Sequence, residues 1–565
     1  MKCSTEGLEQ APLAETLDRH ARASVAQLTG GVSVLGLAQA WQDWATHLAA
    51  SPGKQMMLAQ DAISLGADAL LRPEQSGSAA DPRFRGAGWR TWPFNVYAAA
   101  FLATEQWWRT ATRDVDGVTD QHSRVAAFAA RQILDVISPS NFPMTNPEVL
   151  ARTFASGGQN LLQGELNAMH DIVGLAEGGG SPAYLPGRDV AVTPGEVVAR
   201  TPLAEVIQYR PTTSTVRPEP VVIVPAPIMK YYILDLTPAD SLVRSLVEQG
   251  FTVFIVSWKN PGPDDQDRGF DDYVGLGVYP ALDAACRITG NSKVHAVGYC
   301  LGGTLMSMAA AAMARDGDDR LASLTLLAAQ ADFTEAGELS LFINESQVSL
   351  LEDLMRDRGF MTPEQMSGAF QILRANDLIW SRMVSSDLLG LPRTPSALDA
   401  WSSDATRLPF RLQSQNLRQL YLENDLAEGR FCLGGRPVAL RDISTDMFVL
   451  GTETDHIAPW RSVYKLLLLC DADITFVLTN HGHNVGVVCP PGAPGRRHQL
   501  RHQTRQGAYA DPETWTSEAP SVAGSWWPVW FNWLAAHSGP PVAPPSLGGG
   551  GAVLGAAPGQ YVLER

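Results

Sequence analysis

Residues 294–313 decide the fold, and their sequence is VHAVGYCLGGTLMSMAAAAM. The first four residues form a short apolar run typical of a buried strand, and Thr304 begins an apolar helix. Between them, Gly298-Tyr299-Cys300-Leu301-Gly302 has the pattern of a nucleophile elbow, a sharp turn that lifts its central side chain above a sheet. Small residues are needed because larger side chains would collide with the strand and the helix. The stretch predicts that Cys300 is a nucleophile; a buried structural cysteine is the alternative.

Short β-branched runs recur after residue 191 and alternate with helical segments. Six of them are predicted to be buried parallel strands: Val221–Val224, Thr252–Val256, Val294–Val297, Leu324–Leu327, Met447–Leu450 and Ile474–Leu478. This alternation is typical of a doubly wound α/β sheet. The insertion between the fourth and fifth runs, about residues 333–441, is too long for a simple crossover and is predicted to cap the sheet.

The region before the sheet has a different pattern. Apolar residues recur there at helical spacing, and a Gly/Pro-rich hinge follows at residues 178–195. We therefore predict a mostly helical N-terminal domain at 1–190 and a catalytic domain at 191–537. Pro-Pro pairs and four consecutive glycines predict a flexible C-terminal tail at 538–565. The predicted fold class is α/β, an α/β-hydrolase fold with a cap, preceded by the helical domain.

The charge balance excludes one class of partner. The chain has 43 Lys and Arg against 59 Asp and Glu, a net charge of −16, whereas nucleic-acid binding needs clustered cations. The short basic stretch at 496–502 is interpreted as a solvated loop, with contact to an anionic substrate as the alternative.

The cysteine content and the hydropathy of the sequence predict in which cellular compartment the protein is found. Six cysteines without a CxxC motif or metal-ligand spacing indicate free thiols in a reducing compartment and no metal site. Residues 1–20 lack the apolar run of a signal peptide, and no apolar stretch approaches the length that spans a bilayer. We expect a cytoplasmic protein, with adsorption to an apolar surface left open.

A thiol nucleophile needs a base, and the base needs an orienting acid. In the hydrolase fold both follow late strands, in the chain order nucleophile, acid, histidine. Asp455 comes shortly after the run Met447–Leu450, and His483 shortly after Ile474–Leu478. The sequence therefore predicts a triad of Cys300, Asp455 and His483.

Neighbouring residues compete for two of these roles. His481 and His456 are alternatives to His483, which is favoured because a glycine and an asparagine flank it and let the ring turn toward the elbow. Glu453 is the alternative to Asp455, but it lies nearer the end of the strand.

Cysteine in place of serine at the elbow indicates which class of reaction the site favours. A thiolate that attacks a thioester forms another thioester, which keeps the acyl group activated, and a neighbouring imidazole supplies the thiolate. This favours an acyl-CoA substrate and acyl transfer over hydrolysis, with no cofactor besides the CoA thioester substrate itself. The oxyanion would be bound by the backbone N–H of Leu301 and by a second amide in the loop 225–230, assigned to Ile228.

Other motifs accompany the elbow over nearly the whole chain. They are Ser138–Phe142, Ser156–Asn160, Lys230–Leu236, Val256–Trp258, Asn260–Pro261, Trp401 with Asp404, and Gly524–Trp527 with Trp533. Together with the elbow, which looks like a lipase-like box carrying cysteine in place of serine, they resemble the polyhydroxyalkanoate synthases. The length and the separate N-terminal domain resemble the self-sufficient classes I and II of that family.

The resemblance implies an acyltransferase that polymerises (R)-3-hydroxyacyl-CoA and releases CoA through an acyl-cysteine. In that scheme His483 deprotonates Cys300, and Asp455 orients His483 or activates the 3-hydroxyl of the incoming unit. The resemblance also implies a homodimer at the surface of polyester granules in the cytoplasm. The rivals are a hydrolase or thioesterase that transfers the acyl group to water, and a granule-coating protein without activity.

Two features depart from the family's pattern. Met229 stands where asparagine is usual, inside the predicted oxyanion loop. Asn480-His481 stands where small residues are more usual, which places a second imidazole near His483 in the chain. The tryptophans near the last helix (Trp526, Trp527, Trp530 and Trp533) are interpreted as core packing, with polymer contact as the alternative. For Trp401, cap packing and a dimer contact are equally open.

Overall fold

Strands of the catalytic region come from the β-branched runs of the sequence and from several more polar stretches. The computed structural model describes residues 18, 21–23, 26, 29, 31–176, 184–366, 379–392 and 395–565. Its strands are β1 Gly195–Arg200, β2 Ala204–Tyr209, β3 Val221–Val224, β4 Val253–Trp258, β5 Val294–Tyr299, β6 Leu321–Leu327, β7 Phe360–Met361, β8 Leu408–Pro409, β9 Cys432–Leu433, β10 Arg436–Pro437, β11 Met447–Thr452, β12 Ile474–Thr479, β13 Arg497–Gln503, β14 Ser521–Ala523 and β15 Gly555–Ala556.

Eleven of these strands form one sheet in the order β14-β13-β12-β11-β6-β5-β3-β4-β2-β1-β15. The six central strands β12, β11, β6, β5, β3 and β4 are parallel to one another and correspond to the six predicted runs. They are almost entirely buried, because helices cover both faces of a parallel sheet. The predicted α/β sheet is confirmed. The outer strands pair antiparallel on both sides, and β7–β8 and β9–β10 form two small separate sheets.

The part of the chain before the sheet is helical, as predicted. Its helices are α1 Val34–Ala49, α2 Pro52–Leu71, α3 Phe94–Ala111, α4 Asp120–Val136, α5 Pro147–Ser156 and α6 Gln159–Ala176. They pack around small aromatic clusters of their own, such as Trp44 with Leu58 and Phe84 with Trp89. The part of the predicted hinge at 178–183, and all of the N-terminal stretch 1–20 except residue 18, lie outside the described residues.

The helices that follow cover the sheet and connect its strands. They are α7 Leu242–Glu248, α8 Phe270–Tyr273, α9 Tyr279–Thr289, α10 Leu301–Asp316, α11 Glu345–Arg356, α12 Ala397–Ser403, α13 Phe410–Gln415, α14 Trp460–Tyr464, α15 Leu466–Leu469, α16 His483–Val487, α17 Pro512–Glu518 and α18 Trp527–Ala536. Within the predicted cap the chain also forms a π-helix at Asn416–Leu422. Residues 367–378 and 393–394 of this cap lie outside the described residues. Among those described, no helix is both long and apolar enough to cross a bilayer.

The C-terminal segment is not the flexible tail that its glycines and prolines predicted. Strand β15 pairs with β1 and so becomes the last strand of the sheet. Further on, the Lys230 ammonium donates hydrogen bonds to the carbonyl oxygens of Val562 and Glu564, at 2.5 and 2.7 Å. The prediction was wrong because the polar backbone of this segment finds its partners in distant parts of the fold.

Two further expectations are corrected. The basic stretch interpreted as a solvated loop is strand β13, in which Arg497 and Arg501 are neutralised by Glu453 and Glu518. Among the described cysteines, Cys286, Cys300, Cys470 and Cys489 are free thiols. Cys432, however, is disulfide-bonded, so the expectation of six free thiols was wrong. Spacing along the chain gives no information about which cysteines meet in space.

Candidate active site

Cys300 lies at the turn between β5 and α10, where the elbow was predicted. Its backbone has φ 55° and ψ −130°, a conformation that costs a residue other than glycine about 1–3 kcal/mol. Neighbouring glycines let the turn form: a Cβ on Gly298 would lie 2.4 Å from the Gly303 Cα, and one on Gly302 would lie 2.2 Å from the Val224 carbonyl oxygen. The tight contact of strand and helix therefore holds the cysteine in a strained conformation above the sheet.

Asp455 lies three residues after β11, and its carboxylate is fully buried. One oxygen accepts hydrogen bonds from the backbone N–H groups of Ile457 and Ala458 at 2.8 and 2.9 Å. The other accepts one from the Thr452 hydroxyl at 2.8 Å and one from His483. Burial raises the pKa of Asp455, but the charge of His483 and these hydrogen bonds outweigh it and hold the pKa below its usual value. The site thus contains a permanent buried carboxylate.

His483 begins α16, directly after the loop that follows β12. Its Nδ1 donates a hydrogen bond to Asp455 Oδ2 at 2.7 Å, and its ring stacks on Tyr299 with 5.4 Å between ring centroids. Burial lowers the pKa of His483, but the negative charges of Asp455 and Cys300 raise it well above the usual value. Nε2 is buried and has no hydrogen-bond partner among the described residues. A buried, unpartnered ring nitrogen beside a thiol is free to exchange a proton with it.

Two tryptophans fix the helix that carries His483. The indole N–H groups of Trp526 and Trp527 donate to the carbonyl oxygens of Gly486 and Val487, each at 3.0 Å. Both side chains are completely buried. Trp530 is buried as well, and its indole donates to the Thr325 hydroxyl at 3.0 Å, so core packing is the correct interpretation of these three tryptophans.

The competing residues lie elsewhere. The Glu453 carboxylate forms a surface ion pair with Arg497 at 2.6 Å. His456 and His481 are exposed, and burial together with nearby arginines lowers the pKa of His481. Of the predicted and alternative residues, the structure therefore brings Asp455 and His483 to Cys300 and leaves the other three at the surface.

The loop 225–230 lies beside the elbow and is held through its carbonyl oxygens. Trp258, Thr406 and Trp401 donate hydrogen bonds to the carbonyl oxygens of its first, third and last residues, at 2.7, 2.7 and 2.9 Å. Trp401 is therefore a packing residue between the cap and this loop. Because its carbonyl groups are engaged, the loop presents the Ile228 backbone N–H in a fixed position.

A cavity of about 160 Å³ opens at Cys300. Leu301 and Ile228 line it together with the nucleophile, and neither backbone N–H donates a hydrogen bond to another described residue. Two free N–H groups beside a nucleophile suit an oxyanion, and their assignment to that role stays a prediction. Met229, where asparagine is usual, is buried and is not among the residues that line the cavity.

Most of the residues that line the cavity could not be named from the sequence, and three of them come from unexpected parts of the chain. Gly31 and Val32 come from the N-terminal region, and Tyr421 comes from the π-helix of the cap. The Tyr421 ring packs on Phe333 at 4.8 Å between centroids, and its hydroxyl donates no hydrogen bond to a described residue. Burial, and then the negative charges of Cys300 and Asp455, raise the pKa of Tyr421, so the hydroxyl stays protonated and available as a donor. Its place in a Leu- and aromatic-rich insertion was the only sequence signal.

No cluster of three or more metal-ligating side chains occurs among residues 31–176, 184–366, 379–392 and 395–565. The groups assembled around the Cys300 thiol include the His483 imidazole with its Asp455 partner and the backbone amides of Leu301 and Ile228. This donor set can bind and transfer an acyl group by nucleophilic attack.

Comparisons with known proteins give three family matches. Residues 12–54 match "Poly-beta-hydroxybutyrate polymerase N terminal", residues 80–246 match "Poly-beta-hydroxybutyrate polymerase (PhaC) N-terminus", and residues 220–487 match "alpha/beta hydrolase fold". The sheet described above is thus an α/β-hydrolase fold, as predicted.

Curated relatives are similar over most of the chain. The poly(3-hydroxyalkanoate) polymerase of Methylorubrum extorquens is 40% identical over 532 residues, which cover 90% of this chain and 86% of the relative. The poly(3-hydroxyalkanoate) polymerase subunit PhaC of Rhizobium meliloti is 38% identical over 494 residues, 86% of this chain and 80% of the relative. The corresponding subunit of Cupriavidus necator is 36% identical over 504 residues, 87% and 85%.

Proposed function

The chain belongs to the family of poly(3-hydroxyalkanoate) polymerases, and we propose that it joins (R)-3-hydroxyacyl-CoA units into polyester with release of CoA. One observation carries the proposal. A strained, buried Cys300 lies between a buried Asp455–His483 pair and a largely apolar cavity with two free backbone N–H groups. Polyester synthesis follows from the family, and the individual steps below are derived from this geometry.

Acylation of Cys300 is the first step. The thiol gives its proton to Nε2 of His483, and the thiolate attacks the carbonyl carbon of the acyl-CoA thioester. The tetrahedral oxyanion is bound by the N–H groups of Leu301 and Ile228. The carbon–sulfur bond to CoA then breaks, the CoA sulfur takes the proton back from His483, and the acyl group remains on Cys300 as a thioester.

Chain growth is the second step. The 3-hydroxyl of the next unit gives its proton to His483 and attacks the acyl-cysteine, which forms an ester bond and releases the Cys300 thiolate. The elongated chain is now the CoA thioester, and it acylates the thiolate again. The carbon–sulfur bond to CoA breaks in this step, and the CoA sulfur takes the proton from His483. Asp455 stabilises the imidazolium through its 2.7 Å hydrogen bond to Nδ1. Because both oxygens of Asp455 are already engaged and the carboxylate is fully buried, we assign it to orienting His483 rather than to deprotonating the 3-hydroxyl.

The proposal extends to where the enzyme acts. A polyester product is insoluble in water, so an enzyme that elongates it works at the polymer surface. The helical N-terminal region exposes large apolar side chains suited to such a surface, among them Trp92, Phe154 and Leu71, each about four-fifths exposed. We accordingly place the protein on polyester granules in the cytoplasm, and a homodimer there stays a prediction.

The fate of the acyl group separates polymerase from hydrolase. Purified protein is given (R)-3-hydroxybutyryl-CoA with a radiolabelled acyl group, and free CoA, soluble label and insoluble label are measured. We expect one CoA released for each unit that enters insoluble polyester. Release of CoA with all the label remaining as soluble 3-hydroxybutyrate would mean a thioesterase, and no CoA release at all would mean an inactive granule-coating protein.

A further inference from the structure

A short piece of the N-terminal region reaches the cavity of Cys300. Gly31 and Val32, which precede α1, line the cavity together with Leu351 of α11 and Phe342 beside it. Gly31 has φ +84°, a backbone conformation that favours glycine and turns the chain inward. Val32 is half-buried, although exposed side chains follow it at positions 34 and 35. The N-terminal region therefore supplies part of the cavity wall.

One buried glutamine of α11 holds this piece of chain in place. The side-chain N–H of Gln347 donates a hydrogen bond to the Gly31 carbonyl oxygen, and its carbonyl oxygen accepts one from the Ser33 backbone N–H at 2.7 Å. The backbone on both sides of Val32 is thus bound by a single side-chain amide. Such a two-point contact fixes the position of the residue between its ends.

Two more contacts tie the same segment to α11. The hydroxyls of Ser33 and Ser346 are 3.0 Å apart, and Arg22 forms an ion pair with Asp353 at 2.5 Å. Gln347, Ser346 and Asp353, which make these contacts, all lie on α11 of the predicted cap. Cap and N-terminal segment therefore form one wall of the cavity, whereas the sheet and its loops form the other.

We propose that Val32 is a specificity-determining residue, and that its side chain limits the length of the C3 substituent on the acyl group bound to Cys300. Gln347 is the positioning residue that holds Val32 there. The inference rests on the proposed function and adds to it a part of the chain outside the catalytic domain. In an apolar pocket, discrimination between acyl groups depends on the volume available to each methylene.

The test compares two substrates in three variants of the full-length enzyme. Val32→Ala enlarges the cavity and Val32→Phe reduces it, and Val34→Ala is the matched control because Val34 is more than half exposed two residues further on. CoA release gives kcat/KM for (R)-3-hydroxybutyryl-CoA and (R)-3-hydroxyhexanoyl-CoA. The measured quantity is the kcat/KM for the longer substrate divided by the kcat/KM for the shorter one. We expect Val32→Phe to lower this ratio about 10-fold or more and Val32→Ala to raise it. Val34→Ala should leave the ratio unchanged. An unchanged ratio in both Val32 variants would overturn the proposal.

A second measurement does not depend on the substrate. Alkylation of Cys300 by N-methylmaleimide and by N-hexylmaleimide is followed by mass spectrometry of the Cys300 peptide, which separates it from the other free thiols. We expect Val32→Phe to lower the rate of Cys300 alkylation by N-hexylmaleimide more than the rate with N-methylmaleimide. Gln347→Ala should reduce the difference between the two alkylation rates. If the alkylation rates change in this way while no CoA is released from either acyl-CoA, Val32 does line the path to Cys300 but the proposed function is wrong. If the two reagents keep the wild-type ratio in both variants, Val32 does not line the path to Cys300.

Discussion

The loops that carry Cys300, Asp455 and His483 differ from the walls of the cavity in how the fold positions them. Each of the three residues lies within four positions of the end of a parallel strand, and backbone hydrogen bonds fix their loops. The walls come instead from Val32, from α11 and from the π-helix with Tyr421, which meet through side-chain contacts between distant parts of the chain. The sheet therefore determines the chemistry, and the added parts determine what the cavity accepts. Substitutions at the strand ends should lower the reaction rate with every substrate. Substitutions in the cavity walls should instead alter substrate binding and selectivity.

The largest effect is expected at the nucleophile. Cys300→Ala removes the only group that forms the acyl thioester, so CoA release should fall by about 10⁴-fold or more for every acyl-CoA. The matched control is Cys286→Ala, which changes another free thiol away from the cavity and should retain wild-type rates. CoA release from the Cys300→Ala protein at a rate near that of the wild type would contradict the whole mechanism.

The next largest effect is expected at Asp455. Asp455→Asn keeps the shape but loses the charge that stabilises the His483 imidazolium, so kcat should fall about 10²- to 10⁴-fold with equal effect on short and long substrates. Glu453→Gln, in the same loop and paired only at the surface, should stay within twofold of the wild type. If the two variants lose activity equally, the orienting acid has been misassigned.

The same variant should change the titration of His483. The Asp455 charge raises the pKa of His483, so replacing the carboxylate by a neutral amide should lower that pKa. The His483 imidazolium should therefore lose its proton at lower pH in Asp455→Asn and at the wild-type pH in Glu453→Gln. NMR titration of protein with ¹⁵N-labelled histidine measures this pH. A titration of His483 that is unchanged or moves to higher pH in Asp455→Asn would contradict the ion pair between the two residues.

The difference between strand ends and walls also explains what could be predicted from the sequence. Parallel strands are buried on both faces, so β3 and the first four residues of β11 read as uninterrupted apolar runs, and residues after them could be named as site candidates. Strand β13 is mostly polar, and its two arginines are neutralised by glutamates on other segments of the chain, so it read as a loop. Strand β15 has two residues in a glycine-rich segment and depends entirely on pairing with β1.

The cavity wall could not be predicted for a related reason. Nothing in the composition around Gly31 and Val32 distinguishes them from other small and apolar residues of the helical region. Their role depends on the packing of that segment against Gln347, more than three hundred residues later in the chain. A single sequence contains local patterns, whereas such a contact is a property of the assembled tertiary structure.

The smallest effect, and the sharpest test of the wall as a binding surface, is expected for Tyr421→Phe. The Tyr421 hydroxyl donates no hydrogen bond to a described residue, so its loss should leave the thermal midpoint unchanged. A hydroxyl that donates to a bound acyl-CoA contributes about 0.5–1.5 kcal/mol, which corresponds to a rise in KM of about two- to tenfold. The titration of the His483 imidazole should not move, because the variant leaves its hydrogen bond to Asp455 in place. A lowered thermal midpoint with unchanged KM would instead assign this tyrosine to packing against Phe333, and the division between reacting strand ends and binding walls would no longer hold at this position.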